Sequence, residues 1–153
     1  MINEEIIKTF YTAFKRKDFL TMQNCYADKA KFSDEVFVNL NAKEVRAMWE
    51  MLIKKGKDLN IEVSRIQANE NSGKAEWQAT YTFSKTNRKV INKINAEFIF
   101  EDGKIINHVD SFSFYKWARQ ALGVPGLLFG WSSWLRKNVR RKAMAGLADY
   151  LRI

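Results

Sequence analysis

At residue 59 the apolar residues of this chain change period, and that switch constrains the fold more than any other feature of the sequence. Before it, apolar side chains recur at helical spacing; after it, they alternate. Ile6, Ile7, Phe10, Ala13 and Phe14 give residues 3–16 one inward helical face, with Asn3 as N-cap and Glu4 and Glu5 in the first turn. Asp18 caps a short second helix, and residues 30–37 suit a short strand. Asn41 caps a helix running to about Lys55, striped by Val45, Met48, Trp49, Leu52 and Ile53 and stopped by Gly56. Strands are then expected over 59–70, 74–86, 90–101 and 104–115. Asn71-Ser72-Gly73 ends the first of these, and the hairpin dipeptide Asp102-Gly103 joins the last two. Pro125 interrupts the chain before a final helix from about Trp131 to Leu151.

Helices followed by a one-sided antiparallel sheet imply an α+β domain in which the helices cover the apolar face. The strand phase decides which side chains share that face. Ala75, Trp77, Ala79, Tyr81 and Phe83 point one way on one strand. Val90, Ile94, Ala96, Phe98 and Phe100 do so on the next, and Ile106, His108, Asp110, Phe112 and Phe114 on the last. The opposite face is rich in Thr, Asn, Gln and Ser, which suits solvent or a second copy of the chain, so a homodimer is the expected assembly.

Three ionisable groups fall in phase with the apolar face: Asp34, His108 and Asp110. His108 and Asp110 lie side by side, about 6–7 Å apart at Cα by the strand rise. Such a pair can move a proton near neutral pH. It can equally be a buried pair that holds the sheet in register, and Asp34 can be a strand-end carboxylate that caps a neighbouring backbone group. Trp49, Trp77, Tyr81, Phe98 and Phe112 can line an apolar ligand site, with Tyr11 adding a hydroxyl, or can simply fill the core. Burying bare charges in a solid apolar interior is costly, and a cavity holding water or a hydrophobic small molecule relieves that cost.

Several chemistries are excluded. One His and one Cys in 153 residues cannot build a zinc site on His and Cys ligands or a two-His iron triad, and nothing favours a carboxylate-only ion site. No serine elbow, phosphate-cradling loop or dinucleotide fingerprint occurs. No metal and no cofactor are therefore expected. A single cysteine, no signal-peptide pattern and no long apolar run point to a cytoplasmic globular protein.

The net charge of +9 is unevenly placed. Residues 1–113 carry a net of +2 and residues 114–153 a net of +7. In the final helix Trp131, Trp134, Leu135, Val139, Leu147 and Leu151 form a broad stripe, with Arg136, Lys137, Arg140, Arg141 and Lys142 on or beside the other side. That helix can dock on the domain and solvate its basic face, or meet a partner or a membrane surface. No nucleic-acid fold accompanies the charge, so nucleic acid is not an expected partner. The chain divides at this scale into a body, 1–122, and an amphipathic basic segment, 123–153, packed on or extending it.

The order of elements, the Trp-bearing helix and the closing strand Gly103-Lys104-Ile105-Ile106-Asn107-His108-Val109-Asp110-Ser111-Phe112 resemble the SnoaL-like, NTF2-like proteins. Trp117-Ala118-Arg119-Gln120-Ala121-Leu122-Gly123 is similar to the tail of a bacterial subgroup. The resemblance implies a cone-shaped α+β fold. It also implies kinship with polyketide cyclases, limonene-epoxide hydrolases, scytalone dehydratase, ketosteroid isomerase and many non-catalytic members. By that resemblance Asp34 lies near where some relatives hold a base, and His108 and Asp110 match a closing-strand pair. The Asp-Arg-Asp arrangement of the epoxide hydrolases has no counterpart, because Arg46, Arg65 and Arg88 are out of phase with the pocket residues. The expected activity is cofactor-free isomerisation, cyclisation or hydrolysis of a hydrophobic substrate by acid–base catalysis. The alternatives are a non-catalytic ligand-binding or scaffold domain and an interaction protein working through its basic helix.

Overall fold

A computed structural model describes residues 2–152. Three helices and two strands come first in the chain. The helices are α1 (Ile2–Lys15), α2 (Phe19–Asn24) and α3 (Ala42–Lys55), with β1 (Tyr26–Ser33) and β2 (Leu40–Asn41) between α2 and α3. A meander follows: β3 (Asn60–Ala68), β4 (Ser72–Phe83), β5 (Arg88–Glu101) and β6 (Lys104–Ser111). The chain ends in α4 (Phe114–Leu122), α5 (Val124–Phe129) and α6 (Ser133–Leu151). No helix among the described residues is long and apolar enough to cross a membrane.

The six strands form one curved sheet in the order β2-β1-β6-β5-β4-β3. The meander is antiparallel, but β1 runs parallel to β6, so the sheet is mixed where sequence alone predicts an antiparallel one. This pairing puts Phe32 of β1, His108 of β6 and Phe98 of β5 abreast across three strands. Burial on β5 alternates without a break from Val90 to Phe100.

A one-residue irregularity in β6 corrects the expected phase at its start. Phe100 pairs with Ile105, but Ile99 pairs with Asn107, so Ile106 is the extra residue and Ile105 turns inward instead. Beyond the bulge the alternation resumes, and His108 and Asp110 face the helices.

Local chemistry explains the helix ends. Asn41 caps α3 in a full capping box with Glu44, and Asp18 caps α2 through Thr21. Asn3 is not a cap. It lies inside α1, buried, and its amide donates to the carbonyls of Asn69 and Glu70, which ties α1 to the β3–β4 turn.

The C-terminal region differs most from expectation, with three helices in place of one. Ser113 caps α4, Gly123 turns the chain at φ +70°, and α5 packs so closely on α4 that a Cβ on Gly126 would sit 1.9 Å from the Ala118 carbonyl oxygen. α4 builds a small second core with Val90, Phe114, Trp117, Ala118, Ala121 and Leu135. α6 lies on α3 through Leu147, and the Tyr150 hydroxyl donates to Glu50. Trp131 and Trp134, expected on the docked stripe, are instead 75% and 66% exposed.

Candidate functional site

His108 has no exposed surface, and Asp110 is 3% exposed. Their placement follows from strand alternation, and their hydrogen bonds organise the interior. His108 Nε2 lies 2.9 Å from Asp110 Oδ1, and His108 Nδ1 lies 2.8 Å from the Tyr26 hydroxyl. The Tyr26 oxygen in turn accepts from Trp49 Nε1 at 2.9 Å.

For a neutral imidazole, counting donors gives the direction of this chain. The Trp49 indole can only donate, so the Tyr26 hydroxyl is free to give its own proton to His108 Nδ1. The imidazole proton then sits on Nε2 and points at Asp110. Three aligned donor–acceptor steps, from α3 through β1 to β6, therefore end on one carboxylate. Burial holds the Tyr26 phenol well above its ordinary pKa, so it stays a donor.

Aromatic rings close around the imidazole. Phe98 stands 4.3 Å away between ring centres, Phe32 4.9 Å and Phe10 5.8 Å. Trp49 and Tyr26 stack roughly parallel to it on neighbouring positions. Two of the aromatic residues assigned from sequence to a ligand wall, Trp49 and Phe98, are thus in contact range of the histidine itself.

Two other members of that wall present a different feature. The Tyr11 hydroxyl and the Trp77 indole nitrogen are buried without a hydrogen-bond partner among the described residues, on rings 6.0 Å apart. Trp77 pairs with Ile94, two residues along β5 from Ala96, the partner of Asp110. Burial first, and then the nearby Asp110 charge, raise the Tyr11 phenol well above its usual range. Both groups are therefore donors without acceptors among the described residues, and Tyr11 feels the Asp110 carboxylate. Uncompensated buried donors are rare because each costs roughly 1–3 kcal/mol.

Asp34 lies outside β1, in the turn that follows. Its Oδ1 accepts from the backbone N–H groups of Val36 and Phe37 at 2.7 and 2.6 Å, so it closes an Asx turn. Burial nonetheless raises its pKa to about 7, against the opposing effect of those two hydrogen bonds. The structure brings Asp34 near enough to Asp110 and Tyr81 for their charges to be felt, but not into the His108 network.

Tyr81 and Phe112 sit at the wide end, where the main core meets the second one. The Trp117 indole of α4 donates to the Tyr81 hydroxyl at 2.8 Å. Arg140 of α6 donates to the Glu35 carbonyl, and Arg136 pairs with the Glu35 carboxylate at 3.7 Å. α4 and α6 thereby cover the end of the interior that Asp34, Tyr81 and Phe112 line. Two surface grooves, of about 470 and 510 Å³, lie elsewhere: one between the outer face of β5–β6 and α4, one between α1, α2 and the β5–β6 turn.

Sequence reading missed Tyr26, the centre of the relay, because it starts the first strand at Ala30. Continuing the Ala30–Phe32 alternation backward reaches Tyr26, but Asp28, whose side chain is 99% exposed, breaks the pattern. Cys25 is no partner for the imidazole. Its thiol points to the Thr21 carbonyl, and burial pushes it up to about 11. Arg46 holds the Tyr26 carbonyl, Arg65 pairs with Glu76, and Arg88 holds the Gln120 carbonyl.

Comparison with known proteins agrees with this architecture. The SnoaL-like domain family matches residues 7–108, about two-thirds of the chain. The chain belongs to that family. Among solved structures, this SnoaL-like protein is similar to an NTF2-like protein of unknown function from Burkholderia pseudomallei, with 15% identity and a TM-score of 0.69 over 78% of this chain and 97% of the other. A protein of ketosteroid isomerase-like fold from Catenulispora acidiphila gives 10% identity and 0.68, over 80% and 95%. An LEH-like epoxide hydrolase from M. tuberculosis gives 19% and 0.61, over 81% and 90%. At these identities the likeness is one of fold. No curated protein matches the sequence.

Proposed function

We propose that this SnoaL-like protein binds a small, largely apolar molecule bearing a carbonyl or similar acceptor oxygen, and moves a proton on it without a cofactor. The observation that carries this reading is the pair of buried donors without a partner among the described residues, Tyr11 Oη and Trp77 Nε1, on neighbouring rings, with the Asp110 charge felt at Tyr11. An acceptor oxygen placed there would satisfy both donors and stabilise developing negative charge. Asp110 is the nearby base, and the Trp49–Tyr26–His108 chain holds its carboxylate in place and disperses its charge. Isomerisation or cyclisation through an enol fits this donor and base set. Asp34, poised near neutrality, is the second group able to exchange a proton at the wide end. α4 covers that end through its Trp117–Tyr81 hydrogen bond.

The test uses 2-tetralone in D2O, a ketone with exchangeable α-protons, followed by NMR. The wild-type chain accelerates exchange, Asp110→Asn abolishes the acceleration, and Tyr11→Phe weakens it by about tenfold or more. No acceleration, together with no thermal shift by the ketone, overturns the reading. The complete enclosure of His108 by aromatic rings favours one competitor, a non-catalytic scaffold in which the pair is structural. A thermal shift without exchange would select a binding protein.

A further inference from the structure

Six of the eleven large apolar side chains exposed among the described residues lie together in one short stretch. Val124, Leu127, Leu128, Phe129, Trp131 and Trp134 are all about half exposed or more, and they fall on α5, the turn after it and the first turn of α6. They are held, not loose. Gly126 lets α5 lie against α4, the Trp131 indole donates to the Leu128 carbonyl, and Phe129 and Trp134 meet edge to face at 6.4 Å. The exposed charged side chains around this elbow are basic, and the one acid there, Glu35, is half-buried against Arg136. Lys116, Arg119, Lys137, Arg141 and Lys142 are exposed and have no carboxylate within ion-pair distance among the described residues. From residue 114 onward the sequence holds 8 basic side chains and a single acid, Asp149, which pairs with Arg152.

We infer that the α5–α6 elbow docks on an anionic lipid surface, with the leucines, Phe129 and the two tryptophans entering the headgroup boundary and the flanking lysines and arginines meeting lipid phosphates. Tryptophan suits that boundary because its ring is apolar and its N–H polar, and each nearby basic group adds about 1 kcal/mol of attraction to an anionic leaflet. The apolar side of α6 is already spent on α3 through Leu147, so the elbow, not the length of the helix, makes the contact. This surface is separate from the interior site and does not depend on its chemistry.

Flotation of the full-length protein with phosphatidylcholine vesicles, with and without phosphatidylglycerol, tests the inference. Binding is expected only with the anionic lipid, accompanied by a blue shift of tryptophan emission, since Trp49, Trp77 and Trp117 are already buried. Trp131→Ser with Trp134→Ser, or Lys137→Glu with Arg141→Glu, should each lower vesicle binding on the order of tenfold, with unfolding temperature unchanged. No binding at low salt, or equal binding to neutral vesicles, overturns it. So does a dimer that the Trp131→Ser, Trp134→Ser variant converts to monomer without any lipid binding, because the elbow then serves a second copy.

Discussion

Asp34 shows how a single side chain can carry a pH dependence. Burial lifts its pKa from 3.8 to about 7, so the native chain keeps a proton that the unfolded chain releases. The stability this gives is complete below about pH 4 and is lost as pH rises through 7. Asn at this position can still accept from Val36 and Phe37 but cannot ionise. Asp34→Asn should therefore gain roughly 1–3 kcal/mol over the wild type at pH 8 and nothing at pH 4, as read by denaturant unfolding. Asp34→Ala should lose the turn at both. Tyr11→Phe removes a buried donor without an acceptor and should raise stability by about 1 kcal/mol or more in the ligand-free protein. His108→Ala does the opposite. It leaves Tyr26 and Asp110 without their shared partner inside a tight aromatic cage and should cost about 3–5 kcal/mol.

Elements differ in how far the sequence reveals them, and the reason is locality. The helix α3 is readable end to end, because Asn41, Glu44 and Gly56 mark its limits within the chain itself. The strands β4 and β5 are readable because their inward residues alternate, from Ala75 to Ala79 on β4 and from Val90 to Phe100 on β5, and the same period gives the inward phase of His108 and Asp110 on β6. What escapes depends on partners distant in sequence. The parallel union of β1 with β6, the bulge at Ile106 and the bond from Tyr26 to His108 are all set by tertiary pairing. The splitting of the C-terminal region escapes for another reason: helical periodicity from Trp131 onward says nothing of which apolar residues find a surface to cover. Leu147 finds α3, while Trp131 and Trp134 do not. Two substitutions separate these roles. Leu147→Ala should destabilise the chain by about 2–4 kcal/mol by weakening the α3–α6 contact. Gly126→Ala drives a methyl group into the α4 backbone and should displace α5, costing about 1–3 kcal/mol while leaving the sheet's circular dichroism intact.

At the scale of the whole molecule, the outer sheet face and the elbow are separate surfaces. On the outer face Ile91 and Ile99 stand exposed among polar neighbours on β5, and we propose this face as the homodimer contact. Ile91→Lys with Ile99→Lys should then yield monomers in sedimentation, and an unchanged dimer would place the contact elsewhere. The union of the first long strand with the last has a further effect during synthesis. Until β6 has emerged from the ribosome, β1 lacks its long neighbour, and the aromatic faces of α1 and α3 lack the middle of the sheet they cover. Loops that span most of the chain close slowly. Nascent chains halted near residue 100 should therefore be protease-sensitive and bound by chaperones, whereas those extended past the α4 helix should become resistant in one step.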